Sequence, residues 1–174
     1  MTNTNENAMV QEQENMGLVV AGNRQVVKET ENYVVTRGED GKFSRKAKYN
    51  EYSSIKAESR ADKIWLMNVL EGSDESSNGL KGQVGKTIEV QDIITRPYDR
   101  LNEDTGLEEY GVLTYLITPE KEVFVTSSKT VYFTVTRIMD LFGRPDTAEW
   151  ENIQLKVGKE KGTNGDIIKV KMIG

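Results

Sequence analysis

The sequence predicts an all-β fold with helices: a five-stranded β-barrel with one helix between its third and fourth strands, the element order of an OB-fold. Three observations carry this. Glu122–Val125 alternates as a strand, and through Thr126-Ser127-Ser128-Lys129-Thr130 it joins a helical pattern. In that pattern Val131, Val135, Ile138, Met139 and Phe142 recur at helical spacing. Two strand signals precede this strand–helix unit and two follow it. The order alone does not give a function.

Composition narrows the classes. A chain of 174 residues suits one domain with a tail. Hydrophobic residues make up 36%, and mean hydropathy is −0.59, so the expected core is smaller than the chain. No apolar run is long enough to span a membrane, and the Asn/Glu/Gln/Thr-rich start does not read as a signal sequence. Cysteine and histidine are both absent. That removes disulfides, thiolate or imidazole metal sites, cysteine nucleophiles and histidine-based triads, and it fits a reducing cytoplasm. An enzyme would be left with carboxylate-held metal or Lys/Tyr/Ser chemistry.

The net charge of −5 argues weakly against a basic whole-surface binder of nucleic acid. Its distribution says more. Lys42–Lys63 carries seven basic residues against three acids, and Ile153–Gly174 five against two. An acidic chain can hold a basic groove.

In chain order, residues 1–32 read as a disordered, polar N-terminal tail, interrupted by the short apolar run Met16–Val20. Residues 33–58 read as a basic hairpin-like extension. Tyr33-Val34-Val35 is one arm, Glu39-Asp40-Gly41 the turn, and Lys42–Tyr49 the return. The second arm mixes Lys42, Arg45, Lys46 and Lys48 with Phe43, Tyr49 and Tyr52. Bases stack on rings while phosphates pair with cations, so Lys46 and Lys48 are candidate contacts for a single strand. An ordinary solvated basic arm is the competing reading.

Residues 59–174 read as the barrel domain with a helix in front of it. Ser59 can cap Ser59–Leu70, with Asp62 placed as in a capping box. Ile64, Met67 and Leu70 form the expected apolar stripe, and Trp65 either covers the barrel or stays partly exposed. The run IWLMNVL could instead be a strand. Gly72–Gly82 reads as a linker. Lys86–Tyr98 is the first barrel strand, and its alternation slips at Ile93-Ile94, as at a β-bulge.

Asp99–Glu109 is a polar loop, and Tyr110–Thr118 is the second strand. Its inward residues are either Val112 and Leu116, or Leu113, Tyr115 and Ile117. In the third strand Val123 and Val125 are expected inside and Phe124 outside. Ser127 or Ser128 caps the helix, and Gly143 with Pro145 stops it. Ile153–Val157 and Ile168–Met172 are the last two strands, joined by the basic loop Lys159–Gly165.

No phosphate-binding loop is present. Gly82–Thr87 (GQVGKT) has too few residues between its glycines and leads into a strand. The acids Glu103, Asp104, Glu108 and Glu109 fit no EF-hand spacing and read as a solvated loop.

The ordered set GKTIEVQDI, VFVTSSKTVYFTVTRIMDLFGRP and LKVGKEKGTNGDIIKVKMI, preceded by KIWLMNVLEG, resembles the single-stranded DNA-binding proteins of small Gram-positive phages, including the protein-primed tailed phages and related plasmid-borne versions. The resemblance covers about Ser59–Gly174. It differs from the bacterial housekeeping protein of the same function, whose tail is acidic and aromatic-tipped; this chain ends in KVKMIG.

The resemblance implies a non-catalytic, cofactor-free coat for single-stranded replication intermediates in the cytoplasm of a bacterial host. It implies a monomer or weak oligomer with no membrane partner, with replication proteins as further partners. OB-folds bind strands on the face of strands two and three and with the loops beside it. The rings expected to stack are therefore Tyr98, Tyr110, Tyr115 and Phe124. Phosphate contacts are expected from Arg96, Arg100, Lys156, Lys159 and Lys161, with Lys129 near the helix start. For each ring the competing reading is a core residue, and for each lysine a surface charge. Two other functional readings compete: an OB-fold protein-interaction module of a replication, recombination or virion complex, and an enzyme using carboxylate-held magnesium.

Overall fold

The computed structural model describes residues 19–20, 24–30, 33–72, 77–102, 107–163 and 165–174. The chain forms two compact units, Met1–Tyr49 and Asn50–Gly174.

The first unit is an antiparallel meander of β1 (Val19–Val20), β2 (Arg24–Glu29), β3 (Tyr33–Arg37) and β4 (Phe43–Ala47). The expected hairpin is β3–β4. Its turn closes with Gly38 N–H donating to Lys42 O at 2.9 Å, while Gly41 takes φ +76°, where glycine carries no Cβ penalty. Residues expected as tail supply β1 and β2: Val26 and Val27 give β2 the β-branched content of a strand. The rest of the expected tail, including Met16–Leu18, lies outside the described residues.

The second unit begins with β5 (Tyr52–Ser53) and helix α1 (Arg60–Leu70). Ser59 caps α1: its Oγ accepts from Asp62 N–H at 3.0 Å and donates to the Asp62 carboxylate at 2.6 Å. The short strand β6 (Ser77–Gly79) and a 3-10 turn (Leu80–Gln83) occupy what composition reads as a linker. Leu80 is fully buried there and anchors the segment in the core.

The remaining elements are β7 (Thr87–Val90), β8 (Asp92–Asn102), β9 (Leu107–Ile117), β10 (Val123–Thr126), α2 (Lys129–Phe142), β11 (Ile153–Gly162) and β12 (Gly165–Ile173). They form two sheets, β5-β8-β9-β10-β6 and β12-β11-β7. The expected single first strand is broken at Gln91, whose N–H donates to Ile117 O. Its first half pairs with β11 and its second half with β9.

The slip at Ile93-Ile94 has a different cause from a bulge. β8 pairs with β9 in unbroken register from Asp92↔Ile117 to Asn102↔Leu107. Ile93 and Ile94 point to opposite faces, and both faces are covered. Ile93 joins the cluster between the sheets, with Val90, Leu116, Phe124, Val135, Leu155 and Val170. Ile94 joins a second cluster beneath α1, with Val69, Tyr115, Ile117 and Val123.

The sheets do not close into a barrel. β10 pairs with β9 and, in parallel, with β6, and among the described residues no ladder joins it to β12. At that seam Ser128 Oγ donates to Ile168 O at 2.6 Å and accepts from Val131 N–H at 3.4 Å, so one side chain caps α2 and ties it to β12. α2 buries Val131, Tyr132, Val135, Ile138 and Met139 and ends at Gly143, φ +87°. Phe142, expected on the buried stripe, is 49% exposed, and Tyr132 takes a buried place instead. Its hydroxyl accepts from Asn50 N–H at 2.9 Å, which gives the polar end of the ring a partner.

Candidate nucleic-acid interface

The two halves of the expected stacking face meet different fates. β9 alternates Val112, Thr114 and Leu116 toward the space between the sheets with Leu113, Tyr115 and Ile117 toward α1. Tyr115 is 3% exposed, so its ring offers no face to a base. Burial pushes its phenol pKa up; the Arg96 charge opposes the shift and Glu71 adds to it. Phe124 is 6% exposed, opposite Leu116 in the inter-sheet cluster, while Val123 and Val125 pack under α1. The expected orientation of β10 is thus reversed. Polarity alternation could not show this, because α1 covers the outer face and both sides of β10 are apolar surroundings.

α1 produces that cover with Trp65, Leu66, Val69 and Leu70, four positions on one helical face. Ile64 and Met67, expected to be buried, are 47% and 58% exposed. Asp62 is held at the edge of the docked face by Lys121, whose ammonium lies 3.4 Å from its carboxylate and 5.3 Å from the Trp65 ring centre. The hydrogen bond from Ser59, and then Lys121, hold the Asp62 carboxyl below the usual range.

Beyond the C-terminal end of α1, β8 runs on into the β8–β9 hairpin. Arg96 and Tyr98 follow Ile94 on the α1 side of β8. Arg96 is exposed, with its guanidinium 3.5 Å from Leu70 O, at the electronegative end of the helix. Tyr98 is half-buried and its ring passes over Gly111, directly across the ladder. Gly111 was not among the sequence-derived candidates. A glycine inside a strand pattern is the signal that marks such close approach. Tyr110 is half-buried on the opposite parity of β9, the side of Val112 and Leu116. Arg100 continues β8, but its side chain lies outside the described residues, as do those of Glu103, Asp104, Glu108 and Glu109.

The second arm is β11–β12. Lys156 is exposed and stands directly opposite Lys171. Lys159 is paired with Asp166 at 3.2 Å, and Lys161 is exposed. Lys129, the first residue of α2, is exposed beside the seam lined by Lys81, Thr126, Ser127 and Ile168. In the N-terminal unit Lys46 is exposed on β4, while Lys48 pairs with Glu29 at 2.5 Å. Its aromatic rings carry guanidinium groups: Arg45 lies 3.9 Å from the Tyr33 ring centre and Arg37 5.8 Å from that of Phe43.

Among the described residues there is no cluster of acids able to hold a metal ion, and no helix is long and apolar enough to cross a membrane.

A family model described as Phage Single-stranded DNA-binding protein matches residues 46–171. A relative named Single-stranded DNA-binding protein, from Bacillus phage GA-1, is 40% identical over 151 residues, covering 86% of this chain and 88% of the relative. No solved structure matches the chain. The chain belongs to the phage single-stranded DNA-binding protein family.

Proposed function

We propose that this member of the family coats single-stranded DNA during phage replication, without strong sequence preference and without catalysis, in the host cytoplasm. The observation that carries the reading is family membership across residues 46–171, joined to the exposed Arg96 and half-buried Tyr98 on one face of β8. Tyr98 supplies a ring held by a glycine, and Arg96 supplies a cation on the same face. Every base has a π-face, so a ring beside a cation binds with little regard to sequence.

We read the two sheets as an OB barrel opened at one seam. β7–β8 is the first strand, β9 and β10 the second and third, and β11 and β12 the fourth and fifth. The pairings of β7 with β11 and of β8 with β9 support that reading. The β8–β9 and β11–β12 hairpins are then the two arms beside the ligand. Arg96, Tyr98 and Tyr110 stand on the first, with Arg100 added from sequence position alone. Lys156, Lys159 and Lys161 stand on the second, and Lys129 near the seam. Tyr115 and Phe124 leave the set of contacts because they are buried. Lys46 and the rings of the basic extension 33–58 add contact area ahead of the barrel domain. Replication proteins are the expected further partners of a monomer or weak oligomer.

The test is a fluorescence titration with oligo-dT and with duplex DNA at several salt concentrations. Quenching by the single strand alone, with log affinity falling by about 0.7 per phosphate neutralised, is the expected result. No quenching and no gel shift would overturn the reading. Removal of residues 1–49, which leaves the second unit whole, should weaken binding; unchanged affinity would confine the interface to Asn50–Gly174.

A further inference from the structure

Helix α1 lies on the face of β9 and β10, which is where an OB-fold ordinarily receives its strand. A helix docked this way normally turns a polar face to water. α1 does not. Its docked side is Trp65, Leu66, Val69 and Leu70. Its outer side, at spacings of three and four, carries Arg60, Lys63, Ile64 and Met67. Ile64 and Met67 are 47% and 58% exposed, and Arg60 and Lys63 are exposed as well.

We propose that this outward face of α1 is a binding surface for single-stranded nucleic acid, replacing the sheet face that α1 covers. The inference rests on the single-strand reading above. Three features select the ligand.

The first is charge. Among the described residues neither Arg60 nor Lys63 has an ion pair, and the carboxylate of Asp62, between them in sequence, is engaged by Lys121. Glu71 follows at the far end of the stripe, where the Arg96 guanidinium reaches Leu70 O.

The second is side-chain chemistry. A polarizable thioether and a branched alkyl group beside two cations suit base faces and phosphates together, and neither reads sequence.

The third is continuity. From Arg60 to Met67 the helix rises about 10 Å, and its C-terminal end delivers the track to Arg96 and then Tyr98. A strand laid along α1 passes from cation and apolar side chain to cation and ring.

The chain contains no cysteine, so single thiols can be placed in the full-length protein. Met67→Cys sits on the proposed track; Arg137→Cys sits on the exposed side of α2, off it. Alkylation of each thiol is timed with and without saturating oligo-dT. The expected result is strong protection at position 67 and none at position 137. In parallel, Lys63→Glu should weaken binding and reduce the salt slope by about 0.7, whereas Arg137→Glu should leave both unchanged. If the wild-type chain binds oligo-dT while position 67 alkylates at its free rate, or both positions are protected alike, the α1 surface is not the track. A protein partner that protects position 67 when oligo-dT does not would likewise overturn it. A wild-type chain that binds no oligo-dT would instead sink the single-strand reading itself.

Discussion

The ring of Tyr98 passes over Gly111 on the neighbouring strand so closely that a Cβ at position 111 would stand 2.5 Å from the phenol oxygen. The glycine is what lets the ring lie down on the sheet. A side chain in its place would lift the ring away from the strand that positions it.

Ring position and fold stability should therefore separate. Gly111→Ala meets the far, movable end of a side chain, so we expect it to cost about 1 kcal/mol of stability or less while weakening binding to oligo-dT. Tyr98→Ala should cost about 1–3 kcal/mol of binding, the range for one stacked base. Tyr98→Phe keeps the π-face and should bind nearly as the wild type. Paired urea titrations and fluorescence titrations check both arms. Loss of stability equal to loss of affinity in Gly111→Ala would assign the glycine to packing alone.

Tyr115 and Phe124 should behave in the opposite way. Phe124→Ala opens a cavity between the sheets and should cost about 3–5 kcal/mol of stability. The protein that remains folded should bind oligo-dT with unchanged affinity. Tyr115→Ala should likewise act on stability, because the ring supports α1. A weakened affinity at undiminished stability in either variant would return that ring to the interface.

Leu80 lies in a stretch whose composition reads as a linker, yet it is fully buried among Val131, Val135 and Phe124. Leu80→Ala should cost about 2–5 kcal/mol by denaturant unfolding. A cost under about 0.5 kcal/mol would show that β6 and its 3-10 turn are not part of the cooperative core.

Asp62 and Asp146 both contribute to an acid limb, beside Glu160, which its hydrogen bond from Lys169 also holds low. The Ser59 hydrogen bond and Lys121 hold Asp62 below the usual range, and the Tyr52 hydroxyl, donating at 2.7 Å, does the same for Asp146. A depressed carboxyl binds protons less readily folded than unfolded. Its stabilisation is therefore complete above the ordinary aspartate value of about 3.9 and is lost as pH falls through the lower folded value. The urea midpoint should drop as pH falls below about 4. Asp62→Asn should flatten that limb in part, and Asp62→Asn with Asp146→Asn should flatten it further. An unchanged limb in the double variant would place the acid sensitivity elsewhere.

The hairpin β3–β4, the Ser59 cap, a serine cap at Ser127 or Ser128, the strand–helix join and the closing pair β11–β12 are all legible in the sequence. Each rests on local chemistry: a glycine at positive φ, a hydroxyl three residues ahead of a free N–H, or alternation with one wet face. The motif order across Ser59–Gly174 likewise carries the family. For the candidate interface the sequence offered residue types, and burial then removed two of them. Arg96 and Tyr98 could be named as candidates from residue type at the end of the first expected strand, but Tyr115 and Phe124 could not be told from core, and Gly111 has no side chain to draw notice.

Tertiary structure decided the rest through one element. Once α1 docks on β9 and β10, both faces are covered around Tyr115, Val123 and Phe124, so alternation no longer says which way those residues point. The same docking chose Trp65, Leu66, Val69 and Leu70 over Ile64 and Met67. Local periodicity could not make that choice, because α1 is apolar on two sides and only the surface it meets settles which side is buried.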